Sequence, residues 1–177
     1  MADTTASAAT TELKLTDNQR RAIEHAFEEA RESIQDEGGM LPFTIMCTAD
    51  GFDVADHPGS STQEIYESVK TLLAQEMPEA YAFAYDGFVE TDAGRSDAIL
   101  CEAAHRGDME AYLLAMPYEK DESGAFHFAP SFLSAGTARP LYPHGTKPIV
   151  SGLVVLADER QRAAEAGNAD ASSETDA

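Results

Sequence analysis

Residues 81–116 have the sequence YAFAYDGFVETDAGRSDAILCEAAHRGDMEAYLLAM, and this stretch decides the fold. At its start, Tyr81, Phe83 and Tyr85 are separated by single alanines. This period of two is typical of a β-strand with one large-residue face and one small-residue face, and a helix can lie close over the alanine face. The turn sequences Asp-Ala-Gly and Arg-Gly-Asp separate further apolar runs, and another run follows at residues 125–128. Short turns between strands predict an antiparallel meander.

Two amphipathic helices are predicted before the meander. The first begins with a capping box at Thr16 and ends at Gly38-Gly39, and the second begins with a capping box at Ser61 and ends before Pro78. Between them, residues 41–54 contain two short apolar runs around an Asp-Gly turn, which predict a strand or a hairpin.

The predicted order is therefore helix, strand or hairpin, helix, antiparallel meander and a final strand at residues 149–156. This is an α+β fold in which both helices of the N-terminal half pack on one face of a mostly antiparallel sheet. We expect a disordered tail at 1–15, a single α+β domain at 16–157, and a frayed helix with a disordered tail at 158–177. Residues 129–148 contain four prolines and predict an irregular loop.

The charge of the chain limits its partners. The 177 residues include 32 acidic and 12 basic side chains, a formal net charge of -20. Nucleic-acid binding and polybasic membrane binding both depend on Lys and Arg, so the sequence predicts neither partner. No apolar run approaches the ~18 residues of a membrane span, and no signal-peptide pattern is visible, so the expected location is the cytoplasm.

The motifs of common catalytic and cofactor sites are not found in the sequence. It has no phosphate-binding glycine loop, no nucleophile elbow and no His or Cys spacing typical of a metal site, so we predict no metal and no cofactor. Cys47 and Cys101 each lie in an apolar run, which predicts buried structural thiols. A disulfide, a metal pair and a nucleophile are the alternatives for these cysteines.

A polar cluster is the candidate ligand site. Asp86 interrupts an apolar strand and is followed by Gly87, which predicts a β-bulge, and bulges often direct side chains toward sites. The candidate ligand-binding residues are Asp86, Arg95, Asp97, Glu102 and Arg106, with His127 and His144. The hypothesis is that the first five form one cluster on the sheet. The alternative is a bulge with surface ion pairs.

Two resemblances accompany these patterns. Tyr85-Asp86-Gly87, Asp97-Ala98, Glu102 and Arg106-Gly107 are similar to residues of bacterial proteins of unknown function, over about a sixth of the chain. This resemblance implies no activity. The order of elements also resembles the topology of roadblock and profilin-like domains, without a shared motif.

Three functions remain open from the sequence. The leading hypothesis is an acidic cytoplasmic, non-enzymatic binding or regulatory module for a protein partner or a small ligand, including a homodimer through a sheet edge or the long loop. The alternative is a small enzyme with an acid/His site between the meander and the 129–148 loop. The second alternative is an acidic chaperone-like, immunity or nucleic-acid-mimic protein that binds a partner with a basic surface. Acidity that reflects a salt-adapted source organism is the competing explanation of the charge.

Overall fold

A mixed set of helices and antiparallel strands makes up the structure, as the sequence predicts. The computed structural model describes residues 13–147. In chain order the elements are α1 (Asp17–Glu37), β1 (Phe43–Thr48), β2 (Gly51–Asp56), α2 (Thr62–Glu76), β3 (Ala80–Thr91), β4 (Gly94–His105), β5 (Ala111–Lys120), β6 (Phe126–Phe128) and β7 (Leu133–Ala138). The α+β class is therefore confirmed. The predicted final strand at 149–156, the predicted C-terminal tail and residues 1–12 lie outside the described residues.

The strands form one antiparallel sheet in the order β2-β1-β3-β4-β5-β6, and β7 also pairs with β5. The β3–β4 pairing runs without a shift through Asp86↔Ile99 and Gly87↔Ala98, so the predicted bulge at Asp86-Gly87 is wrong. A Cβ atom at Gly87 would lie 2.8 Å from Leu100 Cδ1, so this glycine makes room for a neighbouring side chain. The register instead shifts between Leu113 and Leu114, opposite β7.

The two helices pack on opposite faces of the sheet. Helix α1 packs in a core that contains Ala82 and Ala84, and its backbone approaches β3 and β4 closely. Helix α2 packs in a second core that contains Tyr81 and Phe83. Successive side chains of a strand point to opposite faces, so the prediction that both helices share one face is wrong. The physical reason is that both faces of β3 are apolar, and each needs a covering layer.

The helix ends follow the predicted capping signals. The Thr16 hydroxyl accepts the Gln19 N–H, and the Ser61 hydroxyl accepts the Glu64 N–H. Helix α1 ends at Gly38, which has a φ of 78°. Neither α1 nor α2 has the length and apolar character that a membrane crossing requires.

Residues at both ends of the described range differ from the sequence prediction. Leu13 and Leu15 pack against the α1 core, although residues 1–15 were expected to be a tail. The predicted irregular loop at 129–148 contains β7, which extends the sheet beside β5. The strand is hard to predict because its sequence, LSAGTA, is mostly small and exposed, without the alternation of a half-buried strand.

Enlarging an alanine beneath α1 tests this packing. Ala84→Leu is expected to lower the free energy of unfolding by about 1–3 kcal/mol, because the side chain is fully buried and α1 leaves no room above it. Denaturant unfolding measures the loss. Ala135→Leu, on exposed β7, is the control and should change stability little. Equal stability of the two variants would contradict a close contact between α1 and the alanine face.

Candidate functional site

A cleft lies between α2, the β4–β5 turn and residues 139–146, which follow β7. Its volume is about 760 Å³. Lys70 and Ala74 contribute from α2, and Met109 contributes from the turn. Small-molecule sites commonly have volumes of about 300–1,000 Å³, so the cleft is large enough for an organic ligand.

Buried hydrogen bonds hold the wall formed by residues 139–146. The Leu141 N–H donates to the Tyr81 hydroxyl at 2.9 Å, and the Tyr142 hydroxyl donates to the Pro78 carbonyl at 2.9 Å. The rings of Tyr81 and Tyr142 meet edge to face, with centroids 5.2 Å apart. Burial raises the pKa of both phenols, so both keep their protons at neutral pH. The wall is therefore fixed although this stretch has no regular secondary structure.

Four basic side chains of the described residues lie on aromatic rings. The pairs are Arg21 with Phe52, Arg31 with Phe128, Arg95 with Phe88, and Lys120 with Phe126. Within residues 13–147, no Lys or Arg lies within 4.0 Å of a carboxylate oxygen; the ion pairs there involve histidines. Lys70 and Arg139 have neither an aromatic nor an acidic partner in this part of the chain, and both line the cleft.

The acid in the cleft lining already has a partner. Asp108 Oδ2 accepts the His105 N–H at 2.8 Å and so stabilises the β4–β5 turn. Arg106, in the same turn, donates from Nη1 to the Met77 carbonyl at 3.1 Å. Its Nε is buried and has no hydrogen-bond partner among the described residues. Burial raises the pKa of Tyr142; the Arg106 charge opposes that rise, whereas the charges of Asp108 and Glu79 add to it.

The five residues of the predicted polar cluster are separated by the sheet. Asp86, Arg95 and Asp97 lie on the face that α1 covers, whereas Glu102 is on the face of α2, opposite Phe83. Arg106 lies in the turn beyond β4. Strand alternation thus prevents the single cluster that we expected.

Asp86 and Arg95 have different partners from those expected. Asp86 accepts the Tyr118 hydroxyl at 2.8 Å. The Arg95 guanidinium lies 3.4 Å from the centre of the Phe88 ring. Asp86 and Arg95 therefore do not pair with each other, and the aromatic ring holds the guanidinium.

Glu102 is buried and satisfied by two phenols. It is 5% exposed, and the hydroxyls of Tyr66 and Tyr85 both donate to its Oε2, the latter at 2.9 Å. Burial, followed by the hydrogen bond to Glu102, raises the pKa of Tyr66 to about 12. A buried carboxylate needs such donors, so this group stabilises the space between α2 and the sheet.

The two predicted histidines lie apart. His127 Nε2 is 2.7 Å from Asp121 Oδ2 on the exposed β5–β6 turn, where hydrogen bonds from Ser123 and then His127 lower the pKa of Asp121. His144 lines the cleft. Asp86 and His127 are not among the residues that line the cleft, whereas Asp108 and His144 both line it.

A buried histidine beside α2 has no sequence signal, because His57-Pro58-Gly59 predicts only the end of a strand. His57 is 2% exposed; its Nε2 is 2.8 Å from Thr44 Oγ1, and its Nδ1 is 2.9 Å from Ser68 Oγ. Burial lowers the pKa of His57, so the ring is neutral at pH 7.

The buried threonine decides which nitrogen of His57 carries the proton. The Thr44 hydroxyl is fully buried, and its hydrogen finds an acceptor within the described residues only at Nε2. The proton of the neutral ring is then on Nδ1 and is donated to Ser68. His57 therefore uses Ser68 as an acceptor and does not activate it as a nucleophile.

Both cysteines are free and buried, as predicted. Burial raises the pKa of Cys47 and Cys101, which keeps them as thiols. In residues 13–147, no three His, Cys, Asp or Glu side chains are grouped so that they could hold a metal ion.

Comparisons of the chain with protein-family models, curated proteins and solved structures found no match. The resemblance to bacterial proteins of unknown function and to roadblock or profilin-like topology stays a prediction. Sequence reasoning also did not single out Lys70 and Arg139, because they are far apart in the chain and line one cleft only after folding.

The buried histidine predicts a pH-dependent stability. The folded-state pKa of His57 is below its unfolded value of about 6.5, so the unfolded state binds more protons as pH falls through that value. The free energy of unfolding should therefore decrease below pH 6.5, by up to about 1.4 kcal/mol per pH unit. Urea unfolding between pH 7.5 and 5 measures this slope.

Two variants test whether His57 causes this dependence of the free energy of unfolding on pH. His57→Gln should reduce it, whereas His127→Gln, at an exposed position, should leave it near the wild-type value. A slope that is unchanged in His57→Gln would show that other groups cause the pH dependence.

Proposed function

We propose that this protein is a cytoplasmic, non-enzymatic binding module that holds a small molecule in the cleft between α2, the β4–β5 turn and residues 139–146. The observation that carries the proposal is the cleft itself, which has the volume of a small-molecule site and a wall fixed by buried hydrogen bonds. A ligand would therefore meet a preorganised surface and would not have to order the wall on binding.

The position of α2 also supports a preformed site. Val69 and Leu73 are fully buried against the sheet. Lys70 and Ala74 each follow one of these residues in α2, so the packing of the helix holds them at the cleft. The binding role is favoured over the enzyme because Asp86 and His127 have other partners elsewhere on the sheet. Asp108, the acid that lines the cleft with His144, accepts the His105 N–H in the turn.

Filling the cleft tests the proposal. A ligand at 100 times its Kd stabilises the folded state by about 2.7 kcal/mol, so compounds from a metabolite library that bind should raise the melting temperature measurably. Ala74→Trp, whose indole would occupy the cleft, should abolish the increase. Native mass spectrometry of protein purified gently from its own source tests the same point with natural ligands.

The control is Gln75→Trp, on the next residue of α2, which is not part of the cleft lining and faces a separate groove with Ser68 and Leu72. It should bind the same compounds as the wild type. Ligands that bind Ala74→Trp with unchanged affinity would contradict the proposal, as would the failure of every compound and of native mass spectrometry to reveal a bound molecule.

The second candidate, a partner with a basic surface, is favoured by the outer face of α1. Glu24, Glu28, Glu32 and Asp36 follow one another at intervals of four residues and are exposed. Like charges at this spacing destabilise a helix by about 0.2–0.5 kcal/mol per pair, so a basic partner would relieve a built-in repulsion. This surface suits an acidic chaperone-like, immunity or nucleic-acid-mimic role.

Salt dependence tests this candidate with a lysine-rich peptide as the probe. Its association rate should fall steeply between low and physiological salt, and Glu28→Gln with Glu32→Gln should reduce the rate at low salt. Glu119→Gln combined with Glu122→Gln, at two exposed positions outside α1, is the control that changes the charge equally. A rate that does not change with salt would remove the electrostatic role.

A homodimer stays a prediction. Strand β2 forms one edge of the sheet, with exposed carboxylates at Asp53 and Asp56. Charges on an edge strand oppose pairing with another strand. This edge therefore favours no second copy, and the opposite side of the sheet is the better place for a dimer contact.

A further inference from the structure

We propose that the cleft ligand is an organic anion with an apolar body, and that Lys70 and Arg139 bind its charged group. This inference rests on the proposed binding function and adds the chemical class of the ligand. It draws on two observations, the charge of the cleft and the division of its lining into basic and apolar parts.

The charge of the cleft is opposite to that of the chain. Lys70 and Arg139 line it without a carboxylate within 4.0 Å in residues 13–147, although acids outnumber bases by 32 to 12 in the sequence. Asp108, the acid of the lining, is occupied by the His105 N–H. Arg106, half-buried in the same turn as Gly107 of the lining, is a further basic side chain beside the cleft. An anion would balance the two basic side chains, which outnumber the single acid of the lining.

The remaining lining requires an apolar body. Met109, Leu141, Pro140 and Pro143 share the cleft with the two basic side chains. Met109 is 93% exposed, which is unusual for a large apolar side chain. A thioether chain is flexible and adapts to the shape of a ligand, so Met109 can cover an apolar body at the rim. A small inorganic anion would leave this surface and most of the 760 Å³ unfilled.

Two dyes with a common body separate the contribution of charge from that of apolar contact. The anionic probe is 1-anilinonaphthalene-8-sulfonate, and the neutral probe is N-phenyl-1-naphthylamine, which has the same rings without the sulfonate. Fluorescence titration of the full chain at low salt gives both Kd values. We expect the anionic dye to bind about tenfold more tightly, because two partly exposed charges contribute to it.

Substitutions in the cleft test which side chains cause the preference for the anionic dye. Lys70→Gln combined with Arg139→Gln should weaken binding of the anionic dye about tenfold and leave the neutral dye unchanged. Arg20→Gln, an exposed position on α1, is the charge control and should alter neither dye. Met109→Ser should weaken both dyes, because it removes apolar contact. Added salt should weaken only the anionic dye.

The outcomes distinguish the two proposals. If both dyes bind equally and Ala74→Trp displaces both, the cleft binds apolar molecules, so the anion inference is wrong and the proposed function stands. If the anionic dye binds the double variant as tightly as the wild type, the inference is overturned. If neither dye responds to Ala74→Trp, the dyes do not occupy the cleft, and this outcome contradicts both proposals. Circular dichroism of each variant confirms that its fold is retained.

Discussion

The alternation of aromatic and alanine side chains along β3 is the constraint on which the rest of the structure depends. Ala82 and Ala84 allow α1 to approach the sheet closely, whereas Tyr81 and Phe83 face α2. The large residues on that side bring hydroxyl groups into the interior, and Tyr81 uses its hydroxyl to hold residues 139–146. The same alternation therefore separates a tight apolar layer from a layer with polar groups and a cleft.

The polar groups in the α2 layer are tolerated because each has a matched partner. Glu102 accepts two phenol hydroxyls, and His57 lies between a threonine and a serine hydroxyl. Phe83 lies against both groups, with its ring edge to face with Tyr66 and with His57. Buried groups that lack such partners would cost about 1–3 kcal/mol each. These side chains thus fix the position of α2, which in turn forms one wall of the cleft.

The basic residues show how a strongly acidic chain places its few positive charges. Several cover phenylalanine rings, with the guanidinium or ammonium group placed over the face of the ring. This use stabilises the fold through contact area and needs no carboxylate partner. Lys70 and Arg139 depart from it, since both line the cleft and neither lies on an aromatic ring of the described residues.

The sequence by itself determined the elements whose signals are local. The caps at Thr16 and Ser61, the strand alternation from Tyr81 and the turns of the meander depend on residues a few positions apart, and they predicted the helices and most strands. Only the tertiary structure decided which face each helix covers, that LSAGTA is a strand, and which side chains meet. The cleft depends on contacts such as that between Tyr81 and Leu141, which are 60 positions apart. Local patterns carry no information about such pairs, because the sheet register and the packing of the chain bring them together.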